Sequence, residues 1–365
     1  MAVILGIDVG STTAKIVVVK NGEVKYERYE RHFSQVRQKT LELVQGAADF
    51  LRGEEIFSAI SGSAGMGEAH AAGIPFVQEV FATGEAVRRF APQTDVVVEL
   101  GGEDAKIIFF RGGMDERMNG SCAGGTGAFI DQMATLLSVT PAELDELSLN
   151  SERIYPIASR CGVFAKSDLQ PLLNQGARKE DIAASIYQAV VNQTITGLAQ
   201  GRRIEGNVMF LGGPLYYCKG LRCRFVKTLG LDEAHALFPE YGRFAVALGA
   251  AIYAEKARQA MTYDELVAGL TRSIREKTAA RTVAPLFENQ EEYDEFCARH
   301  AKASVPAVAP DTYSGDAYLG IDCGSTTTKL CLISADGRLL DSFYSSNHGE
   351  PVEIVLEQLI RIRRL

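Results

Sequence analysis

Acidic residues that end apolar strands just before glycine turns are the first sign of chemistry in this chain. In "GIDVGSTTAK" (6–15), Asp8 closes an apolar run, Gly10, Ser11, Thr12 and Thr13 form the turn, and Lys15 lies on the return strand. Glycine and hydroxyl residues in a tight hairpin can aim backbone N–H groups at phosphates while the carboxylate holds a hydrated Mg2+ ion. "VVVELGGEDAKIIFF" (96–110) has the same layout. Glu99 ends the apolar strand and Gly101 and Gly102 make the turn; these residues, with Glu103 or Asp104, would face the same phosphates from the opposite side, with Lys106 following. A third loop, "VMFLGGP" (208–214), runs a strand into Gly212 and Gly213 and then a helix, so that a base or ribose can lie against bare backbone. Each loop alone is ordinary turn chemistry. An acid at two apolar strand ends, each before a glycine turn, makes Asp8 and Glu99 candidate catalytic carboxylates, and Glu103, inside the second turn, is counted with them. The chain has no GxxxxGK[ST] loop, so nucleotide binding would rest on this three-loop architecture.

Two cysteines add a different chemistry. Cys122 sits in "NGSCAGGTGAF", a glycine-rich loop opening a helix, and Cys161 sits in "SRCGVFAKSDL", again just ahead of a helical pattern. Helix N-termini lower thiol pKa values and favour anionic ligands, including thiolate-bound iron–sulfur clusters. Two cysteines cannot complete a four-thiolate site and there is no CxxC pair, so a cluster needs two more ligands from another chain. A symmetric dimer supplies them. Cys218 and Cys223, in "YYCKGLRCRF", have no accompanying ligands and read as structural.

The elements that must carry these loops follow from periodicity. Strands are expected at 3–9, 13–20 and 23–30, a helix at 35–52, and strands at 56–61, 94–100 and 104–110. Helices follow at 126–137, 162–175 and 180–202, then a strand at 207–212 and helices at 215–229 and 241–257. Alternating strands and helices imply an α/β layer fold. An internal repeat organises the chain: "LGIDVGSTTAK" (5–15) recurs as "LGIDCGSTTTK" (319–329), with nine of eleven positions identical at an offset of 314. In each copy a second apolar run leads to a turn, Asn21-Gly22 or Asp336-Gly337. The second copy runs out at Leu365 with room for three strands and one helix, and it reads as the start of an incomplete repeat in a longer tandem protein. The expected division is 1–95 and 96–257 for the two lobes, 258–316 for a helical segment and linker ending in "AKASVPAVAP", and 317–365 for the second copy.

The three glycine loops, in this order, resemble the phosphate-1, phosphate-2 and adenosine motifs of the acetate and sugar kinase, Hsp70 and actin (ASKHA) superfamily. With the cysteine contexts added, residues 3–257 resemble the BadF/BadG/BcrA/BcrD group, the ATP-dependent activators of 2-hydroxyacyl-CoA dehydratases and of benzoyl-CoA reductase. The resemblance runs through "GIDVGSTTAK", "ELGGEDAK", "GSCAGGTGAF", "CGVFAKSDL", "LGGP" and "ALGAAIYAEKA". It implies a two-lobed ASKHA fold binding ATP and Mg2+. It further implies a homodimer sharing one 4Fe-4S cluster through Cys122 and Cys161 of each subunit. Electrons would arrive from a ferredoxin or flavodoxin and pass to a dehydratase or reductase protein or domain. The chain departs from the group's Asp-Ile-Gly-Gly-Gln-Asp at Glu99 and Glu103, carries Lys166 where Glu is usual, and has "LGGPLYY" in the adenosine loop.

Composition fits and narrows the alternatives. The 365 residues are 46% hydrophobic and 23% charged, which is globular and excludes disordered or collagen-like classes. The net charge of −8 argues against a nucleic-acid or anionic-membrane surface. Seven cysteines without disulfide-like spacing, and no charged segment ahead of an apolar stretch, point to the cytoplasm. No apolar run approaches the ~18 residues a membrane helix needs. A small-molecule kinase of the same superfamily, or a nucleotide-gated assembly module, would share the phosphate loops but not the cysteine pair.

Overall fold

The computed structural model describes residues 2–119, 124–158, 162–275, 283–324 and 326–365. The chain forms two compact units. The first holds Met1–Thr135, Val139–Leu169 and Arg178–Lys277, and the second holds Leu136–Ser138, Gln170–Ala177 and Thr278–Leu365.

In the first unit, β1 (Val3–Val9) pairs antiparallel with β2 (Thr13–Lys20), and β2 with β3 (Glu23–Arg31). Asn21 and Gly22 turn β2 into β3 with φ of 56° and 78°, the left-handed pair whose twist matches the flanking strands. Helices α1 (Val36–Gly46) and α2 (Ala48–Leu51) carry the chain to β4 (Ile56–Ser61), parallel to β1. After α3 (Gly65–Ala72) and α4 (Glu79–Phe90), a second sheet begins with β5 (Val96–Leu100), β6 (Ala105–Phe109) and β7 (Asp115–Met118) as an antiparallel meander. Helices α5 (Gly127–Leu136), α6 (Pro141–Ser148), α7 (Gly162–Asn174) and α8 (Lys179–Thr194) precede β8 (Val208–Leu211), which lies parallel to β5. Helices α9 (Gly213–Tyr217) and α10 (Lys219–Leu229), strand β9 (Ala236–Leu237), helix α11 (Ala245–Ala257), strand β10 (Ala260–Met261) and helix α12 (Tyr263–Arg275) complete the unit. The sheet orders are β10-β4-β1-β2-β3 and β7-β6-β5-β8-β9.

The central strands read as unbroken apolar runs because both of their faces are covered. Leu5, Ile7, Ile16 and Val18 share a core with Leu41, Leu51, Leu266 and Leu270, so α1, α2 and α12 cover one face. Small residues let α11 cover the other: a Cβ on Gly249 would overlap the Ala82 carbonyl of α4, and the two helices touch backbone to backbone. Around the second sheet, Val97, Ile108, Met209 and Leu211 pack with Val87 of α4 and Ala91 just after it.

Several elements differ from expectation. The helix expected over 35–52 breaks at Ala47, where φ is −93° and ψ 7°. The helix expected over 180–202 ends its α-helical part at Thr194, continues as a π-turn over Ile195–Ala199, and stops at Gln200 with φ 47°. The helix expected over 215–229 is two helices parted at Cys218, because the Asp145 carboxylate accepts the N–H groups of Lys219 and Gly220 (2.9 Å each) and caps α10. Helices α3, α4 and α6 and strand β7 were not expected. Helix α6 opens on a capping box between Thr140 and Glu143 with Pro141 in the first turn.

The second unit contains α13 (Gln290–Ala301), the antiparallel strands β11 (Ala317–Cys323), β12 (Thr327–Ser334) and β13 (Leu339–Ser346), and α14 (Pro351–Ile362). Its register repeats that of the first copy, with Asp322 opposite Lys329 as Asp8 is opposite Lys15. The environments differ: Leu5 and Ile7 are fully buried, whereas Leu319 and Ile321 are 37% and 46% exposed. Among the described residues, no helix is long and apolar enough to cross a membrane.

Candidate functional site

The three glycine loops meet at one place in the first unit. A cavity of about 640 Å³ is lined by Thr12 from the β1–β2 turn, Gly102 from the β5–β6 turn and Gly213 from the β8–α9 turn, with Gly127, Asp145 and Tyr217 among its other walls. The first two turns interlock, since a Cβ on Gly102 would overlap the Thr12 hydroxyl. Gly212 adopts φ 91° and donates its N–H to the Gly242 carbonyl (3.0 Å), which turns β8 sharply into α9. A Cβ on Gly213 would overlap the Tyr29 hydroxyl, so this loop too presents bare backbone to its neighbour.

Beneath these turns lies a cluster of buried charges. Lys15 Nζ donates to Asp8 Oδ2 (2.6 Å), and Asp8 is 3% exposed. Burial pulls the Lys15 pKa down, but the adjacent Asp8 outweighs it and holds the ammonium above its ordinary range. Glu99, at the end of β5, accepts from the Thr83 hydroxyl (3.2 Å), and burial raises its pKa. Lys106 pairs with Asp104 (2.7 Å) and with Glu79 at the start of α4, and stands 3.9 Å from Glu99. Burial opposes the Lys106 charge, yet Glu99, Glu79 and Asp104 together hold its pKa well above the usual value. Glu79 is pushed up to about 7 by burial, with Lys106 acting the other way.

The expected residues thus fall into three groups. Thr12, Gly102 and Gly213 stand on the cavity; Asp8, Lys15, Glu99 and Asp104 belong to the charged cluster and are not among the cavity's lining residues; Glu103 is exposed at the tip of its turn, where its carbonyl accepts from Asn119 Nδ2 (3.3 Å). Gly10, Ser11 and Gly101 are half-buried turn residues, and Thr13 starts β2. Cys122 and Cys161 lie outside the described residues. Among the described residues, no group of three or more His, Cys, Asp or Glu side chains is placed to hold a metal ion.

Sequence reasoning missed several participants. Glu79 had no motif around it. Arg31, the last residue of β3, forms a bidentate pair with Asp131 of α5 (2.8 and 3.2 Å), and both line the cavity. The β5–β6 turn also grips α5 through the main chain, because the N–H groups of Gly127 and Ala128 donate to the carbonyls of Gly101 (3.0 Å) and Gly102 (2.7 Å). Helix α5 begins five residues after Cys122 in the sequence.

The BadF/BadG/BcrA/BcrD ATPase family model matches residues 5–254. The chain is 32% identical over 259 residues to the (R)-2-hydroxyglutaryl-CoA dehydratase activating ATPase of Acidaminococcus fermentans, covering 69% of this chain and 96% of that protein. The crystal structure of component A of the (R)-2-hydroxyglutaryl-CoA dehydratase from that organism superposes with a TM-score of 0.63 at 29% identity, over 71% of this chain and all of that one. The activator of the 2-hydroxyisocaproyl-CoA dehydratase from Clostridium difficile with bound ADPNP superposes with a TM-score of 0.61 at 26% identity, over 77% of this chain and all of that one. The first unit has the two-lobed ASKHA fold.

Proposed function

This chain belongs to the BadF/BadG/BcrA/BcrD ATPase family, and on that premise we propose that it is an ATP-dependent activator of a 2-hydroxyacyl-CoA dehydratase or a related CoA-ester reductase. The observation that carries the proposal is the interlock of Thr12 with Gly102 beside a cavity that Gly213 also lines. A phosphate chain requires bare backbone on both sides, and glycine is the residue that leaves it there. In this reading the turn that Gly10 opens holds one face of the triphosphate through the N–H groups of Ser11, Thr12 and Thr13, with Lys15, while the Gly10 N–H closes the turn on the Thr13 carbonyl (3.0 Å); Gly101, Gly102 and Asp104 hold the other face. Gly212 and Gly213 receive the adenosine. Asp8 and Glu99 are the carboxylates that would hold a hydrated Mg2+, which would supply positive charge against the phosphates, and Glu103 would stand by the attacking water.

Cys122 and Cys161 carry the second half of the proposal. Thiolates are the donors a 4Fe-4S cluster takes, and a homodimer would provide four of them. Bound there, the cluster would supply single low-potential electrons, taken from a ferredoxin or flavodoxin and passed to the dehydratase or reductase. This chain's own contribution is the mechanical link. The carbonyls of Gly101 and Gly102 hold the first N–H groups of α5, so a phosphate-2 turn that moves with the γ-phosphate draws on the helix that follows Cys122.

Iron and acid-labile sulfide on anaerobically purified protein, with a visible spectrum, test this reading. About four iron per dimer and absorbance near 400 nm, both lost in a Cys122→Ala, Cys161→Ala variant, are expected. A colourless protein that resists anaerobic reconstitution but still hydrolyses ATP would overturn it and leave a kinase of the same fold.

A further inference from the structure

His32 is the first residue after β3 and is 4% exposed. Its backbone N–H donates to the Thr12 carbonyl (3.2 Å). Its Nδ1 accepts from the Ser34 N–H (3.2 Å), which puts the ring proton on Nε2, and Nε2–H donates to the Gly10 carbonyl (3.0 Å). One residue therefore fixes two carbonyls of the β1–β2 turn. Because a peptide unit is planar, a fixed Gly10 carbonyl also fixes the direction of the Ser11 N–H, and a fixed Thr12 carbonyl that of the Thr13 N–H.

The second unit closes its own turn in the same way with a different side chain. Asn347, the first residue after β13, is 1% exposed. Its backbone N–H donates to the Thr326 carbonyl (3.0 Å), Nδ2 donates to the Gly324 carbonyl (2.8 Å), and Oδ1 accepts from the Gly349 N–H (3.2 Å). Gly324 and Thr326 are the repeat partners of Gly10 and Thr12 at the offset of 314, and Ser34 and Gly349 each lie two residues beyond the bridging side chain. His32 and Asn347 are 315 apart because the second hairpin is one residue longer: Val19 pairs with Val24 around residues 20–23, and Ile333 pairs with Leu339 around residues 334–338.

An imidazole and a carboxamide differ in shape and apolar surface. What they share here is the pattern of one donor to the glycine carbonyl and one acceptor for the N–H two residues on. We propose that His32 is a positioning residue of the phosphate-1 turn, orienting the Ser11 and Thr13 N–H groups for an anionic ligand, and that Asn347 has the same role in the second copy. The nucleotide part of this inference rests on the function proposed above.

The test uses the whole chain with His32→Asn and His32→Leu, measuring KM for ATP, kcat, and hydrogen exchange over residues 9–14 without nucleotide. His32→Leu should raise KM for ATP roughly tenfold, leave kcat within about twofold, and speed exchange of the turn. His32→Asn should keep all three within about twofold of the parent protein. Equal damage by both variants, or no change with His32→Leu, would overturn the proposal. A parent protein that neither binds nor hydrolyses ATP would sink the nucleotide reading alone, and the exchange comparison would still decide what His32 does. Should His32→Leu fail to fold, Asn347→Leu with exchange over residues 323–328 gives the same decision: faster exchange supports the bridge, and unchanged exchange overturns it.

Discussion

Arg31 and Asp131 face each other through two N–H···O bonds of 2.8 and 3.2 Å, joining the end of β3 to the second turn of α5 at the edge of the cavity. The pair is part-exposed, so its worth to stability is small, but it ties the first sheet to the helix that the phosphate-2 turn also holds.

Single Arg31→Ala or Asp131→Ala variants should therefore lose less than ~1 kcal/mol of folding stability. Release of a fluorescent ADP analogue should accelerate several-fold in each, and no further in the double variant. Additive effects in that double-mutant cycle would show that the two residues act separately.

Gly102→Ala places a methyl group where the Thr12 hydroxyl lies. The turns can then no longer interlock, and ATP affinity should fall by at least tenfold while the far-ultraviolet circular dichroism stays that of the parent. Unimpaired ATP binding would mean that the two turns do not hold the same ligand.

Lys106→Met leaves Glu79, Glu99 and Asp104 without their shared cation in a buried setting. Stranding a buried charge costs about 3–5 kcal/mol, to be read from urea unfolding. Glu79→Gln should cost far less, because Lys106 keeps Asp104.

Glu68 gives a pH signature. It is 1% exposed, and neither carboxylate oxygen has a hydrogen-bond partner among the described residues, since the nearby Thr40 hydroxyl donates to the Val36 carbonyl instead. Burial pushes its pKa up from 4.5 to about 7, only partly opposed by Thr40 and Arg37. Between these values the folded state binds more protons than the unfolded chain, so stability falls as pH rises from about 4.5 to about 7 and is level above that. The full span corresponds to about 3 kcal/mol. Glu79 titrates in the same window. Glu68→Gln should flatten part of the slope and make the protein more stable than the parent at pH 8; an unchanged slope would refute the assignment.

Much of this was legible from spacing alone. The hairpin around Asp8 and Lys15 is a local object, its two charges seven positions apart, and its near-identical return at 319–329 makes it hard to miss. The breaks at Ala47 and Cys218 were not legible. Cys218 parts α9 from α10 only because Asp145, 74 residues away from Lys219, reaches the backbone there. Helix α3 lay under glycine-rich text, "SGSAGMGEAHAAG", where small residues that permit close packing look like loop residues. The capping box of Thr140 and Glu143 is a local signal, carried by four consecutive residues, Thr-Pro-Ala-Glu. Glu79 and His32 belong to the site through partners 27 and 22 residues distant. The role of Asn347 was hidden further by the extra residue that shifts the repeat offset from 314 to 315.

The main-chain bonds between the phosphate-2 turn and α5 bear on how freely this site can vary. Glu99 and Glu103 depart from the usual residues, yet a link made of two carbonyls and two amides takes no notice of which side chains flank it. Under the proposed function, drift at those positions would retune hydrolysis while the connection to α5 survives intact. A proline at 127 or 128, lacking the amide hydrogen, would remove one of its two bonds without touching a single functional side chain.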